Sequence, residues 1–215
     1  MIRCPLCLET QANVFHEDKW RIYLRCSTCN LTFVGAEHHL DSSAEKAEYD
    51  FHQNSPTDQG YRKFLSRLFD PVLAQLPPNS RGLDFGSGPG PTLSVMFEEA
   101  GHSMAIYDPF YSPDETPLTN AFDFVTASEV VEHFRNPLDD LNRLWSCVGP
   151  GGLLGIMTKL ALGESEFAGW HYKNDRTHVC FFSRETLGWL STKWNAKLTL
   201  VGQDVAIFVR KNNIS

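Results

Sequence analysis

Apolar residues recur along the chain in two spacings, one typical of a helix and one typical of strands. Between residues 59 and 76 they follow a helical spacing with one apolar face, at Tyr61, Phe64, Leu65, Leu68, Phe69, Val72 and Leu73. Short apolar runs at residues 103–107, 122–127 and 153–158 instead predict strands. Helical stretches separate these runs, and such alternation favours a mainly parallel sheet.

The C-terminal part of the chain predicts an antiparallel pair. Two β-rich runs, residues 196–201 and 205–209, flank a three-residue Gly-Gln-Asp turn and predict a hairpin. Before them, residues 182–194 predict a helix that begins after Ser183 as its N-cap. In contrast, the segment between residue 108 and the run at 122 is short and carries three prolines. We therefore expect no further helix and strand in that segment.

A glycine-rich turn follows the first strand of this pattern. Residues 83–90 read Leu-Asp-Phe-Gly-Ser-Gly-Pro-Gly, the end of a predicted strand running into D-x-G-x-G-x-G. Glycines in such a turn permit positive φ and let backbone amides approach a ligand closely. The dinucleotide fingerprint needs glycine at position 91, where the chain has Pro91, so NAD and FAD are disfavoured. An ordinary strand-to-helix turn is the alternative interpretation.

An acidic residue stands at the end of the next predicted strand. Asp108 follows the glycine turn by about 20 positions, where α/β cofactor folds bind ribose hydroxyls. Further along, Glu-Val-Val-Glu-His occupies positions 129–133 and Pro-Gly-Gly occupies positions 150–152. These four features, in this order, resemble the class I S-adenosylmethionine-dependent methyltransferases over about residues 59–211.

The resemblance implies a fold and a cofactor. The fold is α/β, a Rossmann-like class I methyltransferase sheet that is mostly parallel with an antiparallel C-terminal strand. The cofactor is S-adenosyl-L-methionine, with the glycine turn around its amino-acid portion. Phe110 or Tyr111 is predicted to pack on the adenine, because the third strand and its acidic residue are missing. The cofactor-binding residues so implied are Asp84, Gly86, Ser87, Gly88, Gly90, Asp108, Phe110 and Ser128.

The catalytic candidates cluster in the Glu-Val-Val-Glu-His segment. Glu129, Glu132 and His133 are spaced i, i+3, i+4, so one helical turn would point them the same way. In one hypothesis His133 is a general base. In the other, the three residues and His178 bind Mg²⁺ or Mn²⁺, which lowers the pKa of the acceptor. The segment resembles that of ubiquinone-biosynthesis O-methyltransferases and of small-RNA 3′-terminal 2′-O-methyltransferases, which implies the metal; metal-free methyltransferases with the same Glu-His leave the first hypothesis open.

Two C-x₂-C pairs near the N-terminus predict a metal site. Cys4 with Cys7, and Cys26 with Cys29, supply four thiolates for a tetrahedral structural zinc, and iron would fit the same ligands. Disulfides or a redox pair are the alternatives. A ribbon this small does not fold without its metal, so we expect a chelator or Cys26→Ser to unfold it and leave the rest intact. The other two cysteines, Cys147 and Cys180, are expected to be buried as small apolar residues.

These signals divide the chain into a zinc ribbon (residues 1–37), a linker or lid (38–58) and a cofactor-binding domain (59–215). Tyr49 of the lid and Tyr61 are predicted to contact cofactor or substrate. The segment after the fourth strand, residues 159–176, mixes aromatic and polar residues and predicts a wall of the substrate site.

Composition narrows the function classes. The chain has 215 residues, 42% hydrophobic, enough for one sizeable core, and no apolar run of membrane-spanning length, so we expect a cytoplasmic enzyme. Its net charge of −7 gives no general attraction to nucleic acid. The sequence therefore predicts methyl transfer to an oxygen, nitrogen or carbon of a small molecule. The alternatives are an RNA methyltransferase that uses its ribbon for recognition, and a cofactor-binding interaction protein without turnover. The oligomeric state is not predicted.

Overall fold

The protein is described by a computed structural model that covers residues 2–51 and 55–212. The strands are β1 (Ala12–Glu17), β2 (Ile22–Cys26), β3 (Thr32–Val34), β4 (Arg81–Phe85), β5 (Ser103–Tyr107), β6 (Phe122–Ser128), β7 (Val148–Met157), β8 (Cys180–Phe181), β9 (Ala196–Val201) and β10 (Val205–Arg210). The helices are α1 (Ser42–Tyr49), α2 (Gln59–Leu73), α3 (Thr92–Glu99), α4 (Pro137–Ser146), α5 (Glu164–Ala168) and α6 (Arg184–Lys193).

The larger sheet has six strands in the order β5-β4-β6-β7-β10-β9. Strands β5, β4, β6 and β7 run parallel, while β10 lies antiparallel between β7 and β9. This confirms the predicted α/β sheet with its antiparallel C-terminal hairpin. Residues 108–121 form a bridge between Asp108 and Ser112 and a short 3₁₀ turn at Thr116–Thr119, so the expected gap in the strand pattern is present.

Strand β7 begins earlier than the sequence predicts. The glycine-rich stretch before residue 153 belongs to the strand, which starts at Val148. The pairing of β6 with β7 changes register between Phe122 and Phe124. A Cβ atom at Gly152 would lie 2.7 Å from the Asp123 carbonyl oxygen, so glycine is required where the two backbones approach each other.

Helix α2 covers one face of this sheet. Asp58 caps its N-terminus by accepting from the N–H groups of Gly60 and Tyr61. The buried face carries Leu65, Leu68 and Val72. A Cβ atom at Gly155 would lie 2.8 Å from Val72, so a glycine in β7 allows the helix to sit close to the sheet.

The cysteine-bearing ribbon packs directly against the part of the chain that forms the six-stranded sheet. A four-stranded sheet has the order β1-β2-β3-β8, and β3 pairs with β8 through Thr32 with Phe181 and Phe33 with Cys180. The Tyr23 ring lies 5.1 Å from Phe167 and 5.9 Å from Phe181, centroid to centroid. The division at residues 37 and 58 and the expectation that the ribbon unfolds alone stay predictions, although this packing connects the ribbon to the rest of the chain.

The segment predicted as linker or lid contains helix α1. Asp41 caps it, and Glu45, within it, forms an ion pair with Arg135 at 2.6 Å. Residues 52–54 of that segment lie outside the described residues. None of the helices in the described ranges is both long and apolar enough to cross a membrane.

Candidate active site

A cavity of about 660 Å³ opens at the carboxyl ends of β4, β5 and β6. Loops after these three strands form its walls, and α1 and α2 cover it. This is the edge where parallel sheets bind their ligands. The predicted cofactor residues among its lining are Gly86, Ser87, Gly88, Asp108, Phe110 and Ser128.

The glycine turn has the geometry that its sequence predicts. Gly86 and Gly88 have φ of +75° and +65°. A Cβ atom at Gly86 would lie 2.4 Å from a methyl carbon of Val130, whereas one at Gly88 would meet nothing within 4 Å. Gly86 therefore allows close packing beneath the turn, and Gly88 leaves space beside it. The Ser87 hydroxyl, also in the lining, is buried and has no hydrogen-bond partner among the described residues.

Three amides of the turn have hydrogen-bond partners within the chain. Those of Gly86 and Ser87 donate to the Tyr107 carbonyl oxygen, at 2.7 and 3.2 Å. That of Gly88 donates to Asp108 Oδ2 at 2.9 Å. These three N–H groups hold β4 and β5 together at their ends, and the position of the turn around the amino-acid portion of the cofactor stays a prediction.

Asp84 and Gly90 are not among the residues that line this cavity, and their contact with the cofactor stays a prediction. The Asp84 carboxyl accepts from Thr126 Oγ1 at 2.9 Å and from Ser94 Oγ at 3.2 Å. Burial raises its pKa to about 6, although both hydrogen bonds oppose the rise. Gly90 accepts from the Thr92 amide at 2.6 Å, where α3 begins. Both residues therefore connect the glycine turn to α3, and Asp84 also connects it to β6.

Asp108 fixes two loops at once. Its Oδ1 accepts from the amides of Phe110 at 2.8 Å and Tyr111 at 3.0 Å, while Oδ2 holds the glycine turn through Gly88. The Phe110 ring lies 5.7 Å from the Tyr49 ring of α1. Tyr49, Tyr61 and Tyr111 all line the cavity with Phe110.

The Glu-Val-Val-Glu-His segment is not one helical turn, contrary to the prediction. Glu129 has φ of +52°, and only Val131–His133 form a 3₁₀ turn. Glu129 and Glu132 nevertheless come together at the Tyr172 hydroxyl. It lies 3.2 Å from Glu129 Oε2 and forms a hydrogen bond with Glu132 Oε1. Tyr172 was among the residues of the predicted substrate wall, but no motif assigned it to these carboxyls.

Burial makes both carboxyls poor acids. It raises the pKa of Glu129 to about 8, with the neighbouring Glu132 charge adding to the rise. It also raises the pKa of Glu132 to about 7, against the hydrogen bond from Tyr172. Glu129 Oε1 and Glu132 Oε2 are buried without a hydrogen-bond partner among the described residues. Perturbed carboxyls with unused acceptors, one of which (Glu129) lines a cavity, are typical of functional sites.

Three of the four predicted metal ligands form one group. Ligand atoms of Glu132, His133 and His178 all lie within 4.8 Å of one another, whereas Glu129 is not part of this group. His178 Nδ1 lies 2.8 Å from the Tyr172 carbonyl oxygen, an arrangement that fixes the ring and directs Nε2 away from it. Burial and the adjacent His133 lower the pKa of His178 to about 4, so its imidazole is neutral and able to bind a cation.

Comparison with known proteins assigns the chain to a family. A sequence model of the family described as a methyltransferase domain matches residues 36–201. The chain belongs to this methyltransferase family. It is an S-adenosyl-L-methionine-dependent methyltransferase, as the turn, Asp108 and the sheet order together predict. No curated protein has a significantly similar sequence.

Solved structures share the fold of this methyltransferase at low sequence identity. An O-methyltransferase family protein from Burkholderia thailandensis is 16% identical with a TM-score of 0.54, covering 83% of this chain and 63% of that one. The 1,6-didemethyltoxoflavin N1-methyltransferase of the same organism, solved with 1,6-didemethyltoxoflavin and S-adenosylhomocysteine, is also 16% identical with a TM-score of 0.54. That match covers 95% of this chain and all of the other.

The four cysteines of the methyltransferase also converge. Their sulfurs lie within 4.8 Å of one another, with Cys4 to Cys29 at 3.5 Å and Cys7 to Cys26 at 3.4 Å. A tetrahedral ion with zinc–sulfur bonds of about 2.3 Å separates its ligands by about 3.8 Å. Burial raises the pKa of Cys7 to about 12, so a cation is needed if all four are to be thiolates. The residues present therefore fit a metal ion.

The two cysteine turns have the same backbone. Leu8 and Asn30, which follow the second cysteine of each pair, have φ of +67° and +57°. The Leu8 amide donates to the Cys4 carbonyl oxygen at 3.0 Å, and the Asn30 amide donates to the Cys26 carbonyl oxygen at 2.9 Å. Such paired turns point their thiols to one centre.

A second cavity has a volume of about 1010 Å³. Lys159 and Trp170 of the predicted substrate wall line it, together with the β9–β10 turn at residues 202–204. Lys159 Nζ lies 5.3 Å from the Tyr172 ring centroid. Tyr172 itself contacts the carboxyls of Glu129 and Glu132. Cys147 and Cys180 are buried in the core, as expected.

Proposed function

We propose that this methyltransferase acts on an oxygen or nitrogen nucleophile of a small molecule, with Glu129 as the group that receives the acceptor's proton. The observation that carries the proposal is Glu129 Oε1, which is buried with no hydrogen-bond partner among the described residues and belongs to a residue that lines the cavity. A carboxyl whose pKa is near 8 is suited to proton transfer at neutral pH. The toxoflavin enzyme, which shares the fold, is a precedent for a small acceptor.

The charges around the cavity support a small acceptor over RNA. Its lining includes the acidic residues Glu45, Asp108, Glu129, Asp140 and Asp175. The two arginines in the lining are engaged: Arg135 pairs with Glu45 at 2.6 Å and Arg143 with Glu115 at 2.7 Å. This distribution disfavours a phosphate backbone at the cavity and suits a neutral or cationic acceptor.

The chain's own residues would hold the donor and order the reaction. Asp108 is placed to accept from ribose hydroxyls, the Ser87 hydroxyl to bind a polar group, and Phe110 to pack on an aromatic ring. When bound, S-adenosylmethionine supplies an electrophilic methyl carbon and leaves as a neutral thioether. Glu129 takes the proton that the acceptor loses. Helices α1 and α2, which cover the cavity, exclude water from it.

We also propose that Glu132, His133 and His178 bind Mg²⁺ or Mn²⁺. The carboxylate suits both ions, whereas the two imidazoles favour a transition-metal ion such as Mn²⁺ over Mg²⁺. A bound cation would lower the pKa of an acceptor hydroxyl and so favour oxygen as the nucleophile. For the cysteine group we propose structural zinc, which its four sulfurs fit.

Transfer of tritium from labelled S-adenosylmethionine into cell extracts tests the function. We expect label in small molecules, and a decrease of about a hundredfold in Glu129→Gln, because removing a general base costs at least that much. S-adenosylhomocysteine binding, measured by calorimetry, should change little in this variant. Glu98→Gln, an exposed substitution on α3, is the matched control. Label in RNA would replace small molecules as the substrate class, and label in neither would favour a binding protein.

Chelation tests the divalent cation. We expect EDTA to abolish label transfer and Mg²⁺ or Mn²⁺ to restore it, whereas Glu132→Gln and His178→Gln should stay inactive after metal is added. Full activity in EDTA would reject the cation and leave a metal-free reaction in which Glu129 receives the acceptor's proton.

A further inference from the structure

The loop of residues 171–178 carries two residues of the candidate site. Tyr172 contacts the carboxyls of Glu129 and Glu132, and the ring of His178 lies 4.8 Å from that of His133. The loop begins with a single 3₁₀ turn, His171–Asn174, and β8 starts only at Cys180. Its backbone conformation therefore depends on contacts from outside the loop.

One ribbon side chain makes several of those contacts. Arg21 is 6% exposed and directs its guanidinium at three carbonyl oxygens of the loop. Nη1 donates to His178 at 2.9 Å, and Nη2 donates to Asp175 at 2.9 Å and to Lys173. Its Nε donates to the Tyr23 hydroxyl at 3.2 Å. Guanidinium is planar and offers five donors in a fixed fork, so it can hold three separated carbonyls in one arrangement.

Other ribbon contacts surround this one. Lys173, 4% exposed, pairs with Asp18 Oδ2 at 2.7 Å. Burial would raise the pKa of Asp18, but the hydrogen bond from Lys173 and two backbone amides hold it well below its usual range. At the end of the loop, the Val34 amide of β3 donates to the Val179 carbonyl at 3.0 Å. The Val179 amide in turn donates to the Glu132 carbonyl at 2.8 Å.

We propose that Arg21 is a positioning residue of the methyltransferase site, through which the cysteine-bearing ribbon holds Tyr172 and His178 against Glu129, Glu132 and His133. The ribbon thus completes the active site from behind without entering the cavity. The proposal rests on the proposed function for the role of those five residues, but the positioning itself is a property of the folded chain. Loss of the carbonyl contacts would release the loop and leave the glycine turn and Asp108 unaffected.

Hydrogen exchange of the full-length protein tests this. In Arg21→Gln we expect amides of residues 171–178 to exchange at least about tenfold faster, because buried carbonyls lose their donors. Peptides covering residues 83–90 and 103–111 should be unchanged, as should the affinity for S-adenosylhomocysteine. Arg21→Lys keeps the charge without the fork and should give a smaller increase. Arg3→Gln is the matched control, since Arg3 donates to Leu8 within the ribbon.

Histidine ring resonances give a second readout. The rings of His133 and His178 are close enough for a nuclear Overhauser effect, which we expect to be lost in Arg21→Gln, weakened in Arg21→Lys and kept in Arg3→Gln. If Arg21→Gln unfolds the chain, Arg21→Lys decides by the same two measurements. Unchanged exchange and an intact ring contact in either folded variant would overturn the proposal, as would equally faster exchange in every peptide. Absence of S-adenosylhomocysteine binding in the wild type would instead reject the proposed function alone.

Discussion

At the residue scale, surroundings decide what two similar aspartates do. Asp84 lies near the end of β4 and Asp108 directly follows the neighbouring β5, and sequence predicted that both would bind the cofactor. Asp108 meets backbone amides at the cavity wall, whereas Asp84 meets two hydroxyls between the sheet and α3. Hydroxyls compensate a buried charge less well than the water they replace, so the fold penalises ionised Asp84.

This penalty predicts a pH-dependent stability for Asp84→Asn. Because the folded pKa, about 6, lies above the ordinary value of 3.8, the wild type loses stability as pH rises between these values. The variant lacks this loss, so relative to wild type its free energy of unfolding should rise by up to about 3 kcal/mol from about pH 4 to pH 7. Urea denaturation at both pH values measures it. A difference between variant and wild type that does not change with pH would contradict the prediction.

At the element scale, the two-residue strand β8 adds a distant segment of the chain to the sheet of the ribbon. Strand β8 lies between the loop that carries Tyr172 and helix α6, and it pairs with β3 of the ribbon. Two Cys-x₂-Cys turns indicate a metal site from sequence, but a strand as short as β8 gives no periodic signal. The ribbon sheet therefore includes residues far away in the chain.

This pairing changes the expected effect of metal loss. In Cys26→Ser, or after chelation, we expect faster hydrogen exchange both in residues 2–35 and in residues 171–182. The reason is that β3 and Arg21, which belong to the first segment, contact the second. Cys147→Ser is the control, a buried cysteine whose thiol donates to the Leu118 carbonyl. Metal analysis should find one zinc per wild-type chain. If exchange became faster in the ribbon alone, the ribbon would be an independent folding unit, as its small size first suggested.

At the scale of the whole molecule, one hydrophobic cluster crosses the predicted domain boundary. It includes Tyr23 and Phe33 of the ribbon together with Phe167 and Phe181. Each fully buried side chain of this size contributes about 1.5–3 kcal/mol. The family match starts at residue 36 and excludes the ribbon, yet the core does not end there.

Truncation tests this shared core. We expect a chain of residues 36–215 to melt at least about 10 °C below the full chain, or to aggregate, because Phe167 and Phe181 lose their cover. Calorimetry or circular dichroism measures the midpoint. Trp20→Ser, at a side chain 73% exposed on the ribbon, should melt as the wild type does. An unchanged midpoint in the truncated chain would show that the ribbon adds nothing to the core.

The sequence by itself determined the features that depend on neighbouring residues. The period of the apolar runs predicted the strands and α2, the glycines at 86 and 88 predicted a turn with positive φ, and the two cysteine pairs predicted one metal group. In each case the signal lies within a few residues, where backbone geometry alone relates residue type to conformation.

Tertiary structure alone decided which distant groups meet. Glu129 and Glu132 converge on the Tyr172 hydroxyl because Glu129 adopts a left-handed conformation. Tyr172 belongs to a loop that comes after β7 in the chain. Arg21 reaches that same loop from the ribbon. Such contacts leave no pattern in one sequence, since they depend on how strands order themselves in space and on which polar groups become buried together.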